Sequence, residues 1–494
     1  MHDMRRRDFL FAAVSGAGLL GASGLLDRNS AYASLLSDAG AHVYTRRSVY
    51  CLTDTSPEIV AYRKAITTMR ALPATNPVSW LAQANIHGAF SPPAGMIANA
   101  CRHDQAFFLS WHRMYVYFFE RIIRKQSGSS AFALPYWGYS PTGRRDLPPM
   151  FRTPTAGNPL YDGSRNAPIN AGAGITASLV DSGAALAQTS FWNFSNSVNG
   201  TPHGQVHIAC GGNMTQFATA GQDPIFWLHH CNIDRLWEVW LDSGGGRVNP
   251  VGDNNWMTTS FSFYDENGAN VSLTGSQIVD VACQLRYQYE ANLCGRLIVI
   301  DPDWWRRLTM LRRPEESITA KLDTLGRRPP LRDPLPIAQS QQPLRLGARP
   351  VTTRLPISDE GKRRLLTLDR DAQGGGAIDL MLDDIRTEGT PAIAYEIYLD
   401  LPTSSTNPDF RSPHYVGNLN LFGTSSRDVH GEKREPQIIP LTLAFLRLRD
   451  AKLWSADSVA VTFVPRGLTD GDDPGRRLGA ATPVSIGQLR VMIR

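Results

Sequence analysis

The chain has 494 residues, of which 42% are hydrophobic and 19% charged, enough to bury a large core and more than one ordinary domain requires. Its formal charge of +5 is spread thinly, with no long Lys/Arg block beyond the N-terminus, which excludes a nucleic-acid track and leaves a mildly basic surface. Six cysteines in this length do not make a dense disulfide framework.

Taken in chain order, the first element is Met4 to Phe11, where Arg6-Arg7-Asp8-Phe9-Leu10 resembles the core of a bacterial twin-arginine export signal. A short, weakly apolar Gly/Ala-rich run follows to about Leu26 and fits a signal region better than a stable membrane anchor. Ala31-Tyr32-Ala33 offers a cleavage site, so residues 1–33 are expected to be removed and the protein to be periplasmic or secreted. The implied partner is the export machinery, which by this route carries folded protein.

Ile59, Tyr62, Ile66, Met69 and Leu72 recur at helical spacing, predicting a helix from Pro57 to Ala71. Next come His87, then His103 and His112. The last two are nine apart and about half a turn out of phase on a straight helix, so His103 is expected in a loop before the helix carrying His112. That helix continues through Met114 to Ile123, and the Gly/Pro/Ser-rich residues 141–185 read as long surface loops.

A second helical region, Asn193 to His207, ends in His203-Gly-Gln-Val-His207, whose histidines lie above one another if the segment is one helix. Ile225 to Leu241 supplies another helix with the pair His229-His230. Six of eleven histidines thus fall into two triads, which points to two like metal ions. Imidazole suits Zn, Cu, Fe and Ni alike, so ligand type leaves the metal open.

Phe108-Leu-Ser-Trp-His-Arg-Met-Tyr-Val-Tyr-Phe-Phe-Glu120-Arg121 and Asp223-Pro-Ile-Phe-Trp-Leu-His-His-Cys-Asn-Ile-Asp-Arg-Leu-Trp237 resemble the two copper signatures of the tyrosinase, catechol oxidase and molluscan haemocyanin superfamily. The resemblance implies two copper ions, the first held by His87, His103 and His112 and the second by His203, His207 and His230. His229 is then the spare, since helix neighbours about 100° apart cannot both face one ion. It also implies a thioether between Cys101 and His103, which would stiffen a ligand that no helix holds. Of the other cysteines, Cys283 and Cys294 have the spacing to bridge a short segment, and plain buried thiols serve equally.

A four-helix bundle holding the dicopper centre is the fold this implies, with residues 34–310 as the catalytic domain. Asn255 to Gly268 resembles the segment after the core of plant polyphenol oxidases, and Tyr287-Gln-Tyr289 resembles their tyrosine motif, which packs near an N-terminal arginine, here Arg46 or Arg47. A cross-strand aromatic pair accounts for the two tyrosines as well. Residues 311–358 are rich in Pro and Arg and read as a linker. After it, alternating runs such as Ala392 to Leu401 and Ser458 to Val464 predict a C-terminal β-sandwich over 359–494. This part weakly resembles the domain that shields latent plant polyphenol oxidases, with an apolar residue from Leu419 to Phe422 expected in the substrate's place.

The activity implied is oxidation of o-diphenols to o-quinones by O₂, with phenols as substrates and at most weak hydroxylation of monophenols. Phe217 stands where plant catechol oxidases carry an aromatic gate. Phe226 and Asp234 flank His230 by four residues on one helical face, with Asp234 either orienting a ligand imidazole or pairing with an arginine. Gly204 follows the first histidine of the second triad, where Asn often accompanies monophenol activity, and Asn199 replaces an acidic water-holding residue; with Ile208 they are the expected activity-modulating positions. A haemocyanin-like O₂ carrier is the alternative, and a zinc hydrolase a more distant one. One copper unit without tandem repeats favours the enzyme.

Overall fold

The computed structural model describes residues 42–290 apart from 156, the backbone of 292–293 and 296–297, and residues 334–366, 377–424 apart from 406, 436–477 apart from 455 and 456, and 483–493. The export motif, its cleavage site, Cys294 and the first part of the Pro/Arg-rich stretch lie outside them.

The helical half opens with strand β1 (Tyr44–Arg46). Helix α1 (Pro57–Arg70) starts with proline at its first position, where no N–H is needed, and buries Ile59, Tyr62, Ile66 and Met69. Helix α2 (Trp80–His87) is capped by Ser79, whose hydroxyl accepts from the Ala82 amide. Helix α3 (Phe108–Ser127) stops at Gly128, which takes the left-handed conformation at φ 70°. Helix α4 (Phe191–Val198), helix α5 (Gln205–Cys210) and helix α6 (Pro224–Asp242) follow, the last capped by Asp223. Helices α3 and α6 are buried on almost every side, as suits the central pair of a bundle.

The helix predicted from Asn193 to His207 is broken. Asn199–Gly204 forms a wide turn in which Thr201 is extended (φ −141°, ψ 121°) ahead of Pro202, which has no N–H to continue the ladder. Residues 141–185 also differ from long surface loops. They hold short helices at Pro149–Arg152 and Ala167–Asn170, bury Phe151, Leu160, Ile169 and Leu179, and are tied to the α6 cap by a buried Arg165–Asp223 pair.

Strands β2 (Ser260–Tyr264) and β3 (Asn270–Thr274) form a hairpin that lays Phe263 against Trp111 and Phe118 of α3. Strand β4 (Tyr287–Tyr289) runs parallel to β1, with Tyr44 opposite Tyr287 and Arg46 opposite Tyr289. The guanidinium of Arg46 lies 3.6 Å from the Tyr287 ring centroid, so the tyrosines embrace Arg46 and are not a cross-strand aromatic pair.

The C-terminal half is built from two antiparallel sheets. Its strands are β5 (Leu335–Gln339), β6 (Leu344–Leu346), β7 (Val351–Pro356), β8 (Ile378–Thr387), β9 (Ala394–Leu399), β10 (Tyr415–Asn418), β11 (Gln437–Pro440), β12 (Ser458–Arg466) and β13 (Val484–Ile493). One sheet runs β11-β8-β13-β5, with β6 also on β13, and the other β10-β9-β12-β7. The expected linker at 311–358 is therefore too long, because its part from Leu335 to Pro356 is woven into the sheets. Strands β5 and β7 are edge strands, where proline costs no ladder bond, so a Pro-rich composition did not preclude them.

Candidate dicopper centre

Each histidine of the two triads arrives from a different structural device. His87 ends α2 and His112 lies in the first turns of α3, while His103 sits in the irregular segment before α3, as its spacing required. His203 projects from the wide turn, His207 from α5 and His230 from α6. Their rings converge. Within the first set, centroids lie 5.1 to 5.8 Å apart, and within the second 4.7 to 5.6 Å. The two sets abut where His112 stacks on His230 at 4.4 Å.

Backbone carbonyls set the ring orientations. Nδ1 of His87 meets the Phe217 carbonyl at 2.9 Å, that of His112 the Phe108 carbonyl at 2.7 Å, and that of His207 the Met214 carbonyl at 2.7 Å. His203 Nδ1 meets the Asn199 carbonyl at 3.2 Å. A carbonyl only accepts, so Nδ1 carries the proton and Nε2 keeps its lone pair. Nε2 of His112 and of His203 is buried without a hydrogen-bond partner, and Nε2 of His207 and His230 face each other at 3.4 Å. Burial, then crowding by neighbouring imidazoles, holds His112, His203 and His230 well below the usual histidine value; burial does the same for His207, against its backbone bond. Neutral rings with bare Nε2 atoms fit a nitrogen-seeking metal ion.

The donor atoms of His203, His207, His229 and His230 lie within 4.8 Å of one another, and so do those of His87, Cys101 and His103. Cys101 is thus beside His103. His229 shares its neighbourhood with the second triad, but its Nδ1 is engaged by the Tyr139 hydroxyl at 2.8 Å, and burial lowers its value to about 3.

Phe226 packs on the His230 ring at 4.3 Å and on His87 at 5.0 Å. Asp234 does not orient an imidazole. Its carboxylate accepts from Arg113 Nε at 2.5 Å, Arg46 Nη1 at 3.3 Å and the hydroxyls of Tyr287 and Tyr289, both at 2.6 Å. Burial pushes its pKa up, but Arg113 and Arg46 outweigh it and hold the carboxyl below the usual range. Arg46 also donates to Glu120 of α3, so one ion network ties α3 to α6 behind the histidines.

Phe217 lies over His103 at 4.6 Å and His87 at 6.0 Å. Asn199 turns its Nδ2 to the His103 carbonyl at 2.9 Å. Ile208 is fully buried in α5 beside His207. From the C-terminal half, Phe422 reaches the same histidines and stacks on His207 at 3.9 Å with planes 14° apart, while touching Phe217 at 4.6 Å. The segment bearing it is pinned to the helical half: Gln205 Nε2 donates to the Leu419 carbonyl at 3.0 Å, and Asn418 Nδ2 to the Ser178 carbonyl at 3.1 Å. Gln205 and Asn418 were not predicted as site residues. Their partners Leu419 and Ser178 are more than 200 residues away in sequence, and no local pattern marks them.

Comparison with known proteins agrees with this geometry. The family model described as the common central domain of tyrosinase matches residues 77–174 and 161–243. The polyphenol oxidase middle domain matches 251–296, and a domain family of unknown function matches 335–492. A tyrosinase of Hahella sp. (strain CCB-MM4) is 27% identical, over 87% of this chain and 96% of its own length. A chloroplastic polyphenol oxidase of Malus domestica is also 27% identical, over 82% of this chain and 72% of its own length. Among solved structures, latent apple tyrosinase shares the fold with a TM-score of 0.59 and 24% identity, covering 92% of this chain and 97% of that one.

Proposed function

The chain belongs to the tyrosinase family, whose members are type 3 copper oxidoreductases, and from that premise we propose that it oxidises o-diphenols to o-quinones with O₂ beneath a C-terminal shield. The six histidines predicted from sequence would hold the metals, His87, His103 and His112 the first copper and His203, His207 and His230 the second. When bound, the copper pair supplies electron transfer from diphenol to O₂, two diphenols and one O₂ giving two quinones and two waters. The protein's part is to fix the rings of His87, His112, His203 and His207 through their Nδ1 bonds, and to exclude water with Phe217 and Phe226. A thioether between Cys101 and His103 would lock the ligand that lies in the irregular segment before α3.

The observation that carries the reading is the Phe422 ring, laid flat against His207 and within 6.4 Å of the rings of His87, His103 and His203. A phenolic ring would take that place, so Phe422 acts as its stand-in and the full chain is latent. Diphenols are favoured over monophenols. Hydroxylating a phenol needs help in removing its proton, and Asn199 presents an amide, which is no base at neutral pH, with its Nδ2 engaged by His103. The N-terminal motif supports export of the folded, copper-loaded protein to the periplasm or beyond, with a copper-loading partner acting first. No described helix is long and apolar enough to cross a membrane.

The test is to load the full chain with copper, cut it between residues 311 and 334, and assay a catechol and tyrosine side by side before and after release of the C-terminal part. Higher catechol turnover at constant copper content supports shielding. Unchanged turnover defeats it and leaves the family assignment intact.

A further inference from the structure

Gly204 follows His203 in the wide turn, at an ordinary backbone conformation (φ −62°, ψ −31°) that any residue can adopt. Its lack of a side chain therefore needs another reason. A Cβ built on Gly204 would fall 2.8 Å from Nδ2 of Asn420, and closer still to its Cγ and Oδ1, well inside van der Waals contact. The amide cannot swing away without cost. Asn420 Oδ1 accepts the backbone N–H of Phe422 at 3.0 Å, and the Asn420 backbone N–H is itself held by Gln437 Oε1 at 3.0 Å. That side-chain-to-backbone turn sets the direction in which Phe422 leaves the chain. Past Phe422, Gly423 adopts φ 70° with its Cα against the Phe217 ring, where a Cβ would lie 3.0 Å from Cδ2 and closer to Cε2 and Cζ. The covering turn is thus fitted to Gly204 on one side and Phe217 on the other.

We propose that residue 204 couples the active-site floor to latency: the turn Asn420–Phe422 closes on the dicopper cavity only when residue 204 has no side chain, so any larger residue there opens the shield in the intact chain. This rests on the shielding reading above and adds to it a named contact. It follows that a substitution at 204 made to alter substrate preference also alters how much of the full-length enzyme is active, and that the two effects must be separated experimentally.

The experiment measures the gain, the catechol turnover of the cut chain divided by that of the intact chain at equal copper content, for the parent, Gly204→Ala, Asn420→Ala and the double variant. The expected parent gain is large. Gly204→Ala should lower it several-fold by raising the intact chain's turnover, and Asn420→Ala, which leaves the histidine turn untouched, should lower it too by freeing Phe422. In the Asn420→Ala background the added methyl meets no amide, so Gly204→Ala should change the gain little further. A parent gain with Gly204→Ala as latent as the parent overturns the coupling and leaves shielding standing, as do effects of the two substitutions that simply multiply. A parent with no gain overturns shielding and the coupling together. If Gly204→Ala does not fold, an undiminished gain in Asn420→Ala overturns the proposal by itself.

Discussion

The ring of Phe422 lies face to face with that of His207, centroids 3.9 Å apart and planes inclined by 14°, although the two residues belong to different halves of the chain. A substrate ring and this side chain compete for one place. Phe422→Ala should therefore raise catechol turnover of the intact chain towards that of the cut chain, with copper content unchanged. It should also lower stability by about 3–5 kcal/mol, the usual cost of truncating a buried phenylalanine, read from denaturant midpoints.

Copper analysis distinguishes the adjacent histidines of α6. His230→Ala should leave the protein short of about one copper per chain and without catechol oxidation, as should His112→Ala and His207→Ala, because two imidazoles make a poor site. His229→Ala should keep both ions, since its Nδ1 already serves Tyr139. Loss of copper from His229→Ala, equal to that from His230→Ala, would make His229 a ligand.

Peptide mass spectrometry of protein matured with copper and O₂ should find the fragments bearing Cys101 and His103 joined and about two hydrogens lighter than their sum, because the S–H and a ring C–H are both lost and their two electrons and two protons pass to O₂. Cys101→Ser should abolish the link. A fully alkylatable Cys101 in active enzyme would reject it.

Asp234→Asn should cost about 3–5 kcal/mol, because it leaves the guanidinium groups of Arg113 and Arg46 buried beside a neutral amide. The pH dependence has a definite sign. The folded-state pKa of Asp234 is lowered, so its stabilisation is complete above the unfolded carboxyl value of about 3.9 and disappears as pH falls through the lower folded value. Unfolding midpoints measured from pH 7 downwards should fall less steeply in the variant than in the parent over that acid range.

What the sequence disclosed is what local spacing controls. The helix of Ile59, Tyr62, Ile66 and Met69, the loop position of His103 and the helix of His230 all follow from periodicity within one element. The break at Thr201 escaped because i, i+4 spacing suggests a helix, whereas Pro202 and the extended residue before it decide otherwise. Strands β5 and β7 escaped because Pro336, Arg354 and Pro356 read as linker residues until the strands are known to lie at sheet edges. The fit of Gly204 to Asn420 had no local signal at all, because residues 216 positions apart meet only in the folded chain.

The parallel pairing of Tyr44–Arg46 with Tyr287–Tyr289 has a consequence for biosynthesis. Arg46 leaves the ribosome among the first residues of the helical half, yet its stacking partner Tyr287 and the strand that pairs with it emerge about 240 residues later, after every histidine of both triads. The ion pairs joining α3 to α6 are formed by Arg46, Arg113, Glu120 and Asp234, and the hydroxyls of Tyr287 and Tyr289 are the part of that network synthesised last. All of it, with the six histidines, is encoded ahead of β5 to β13, so the whole metal site is synthesised before the strands that cover it.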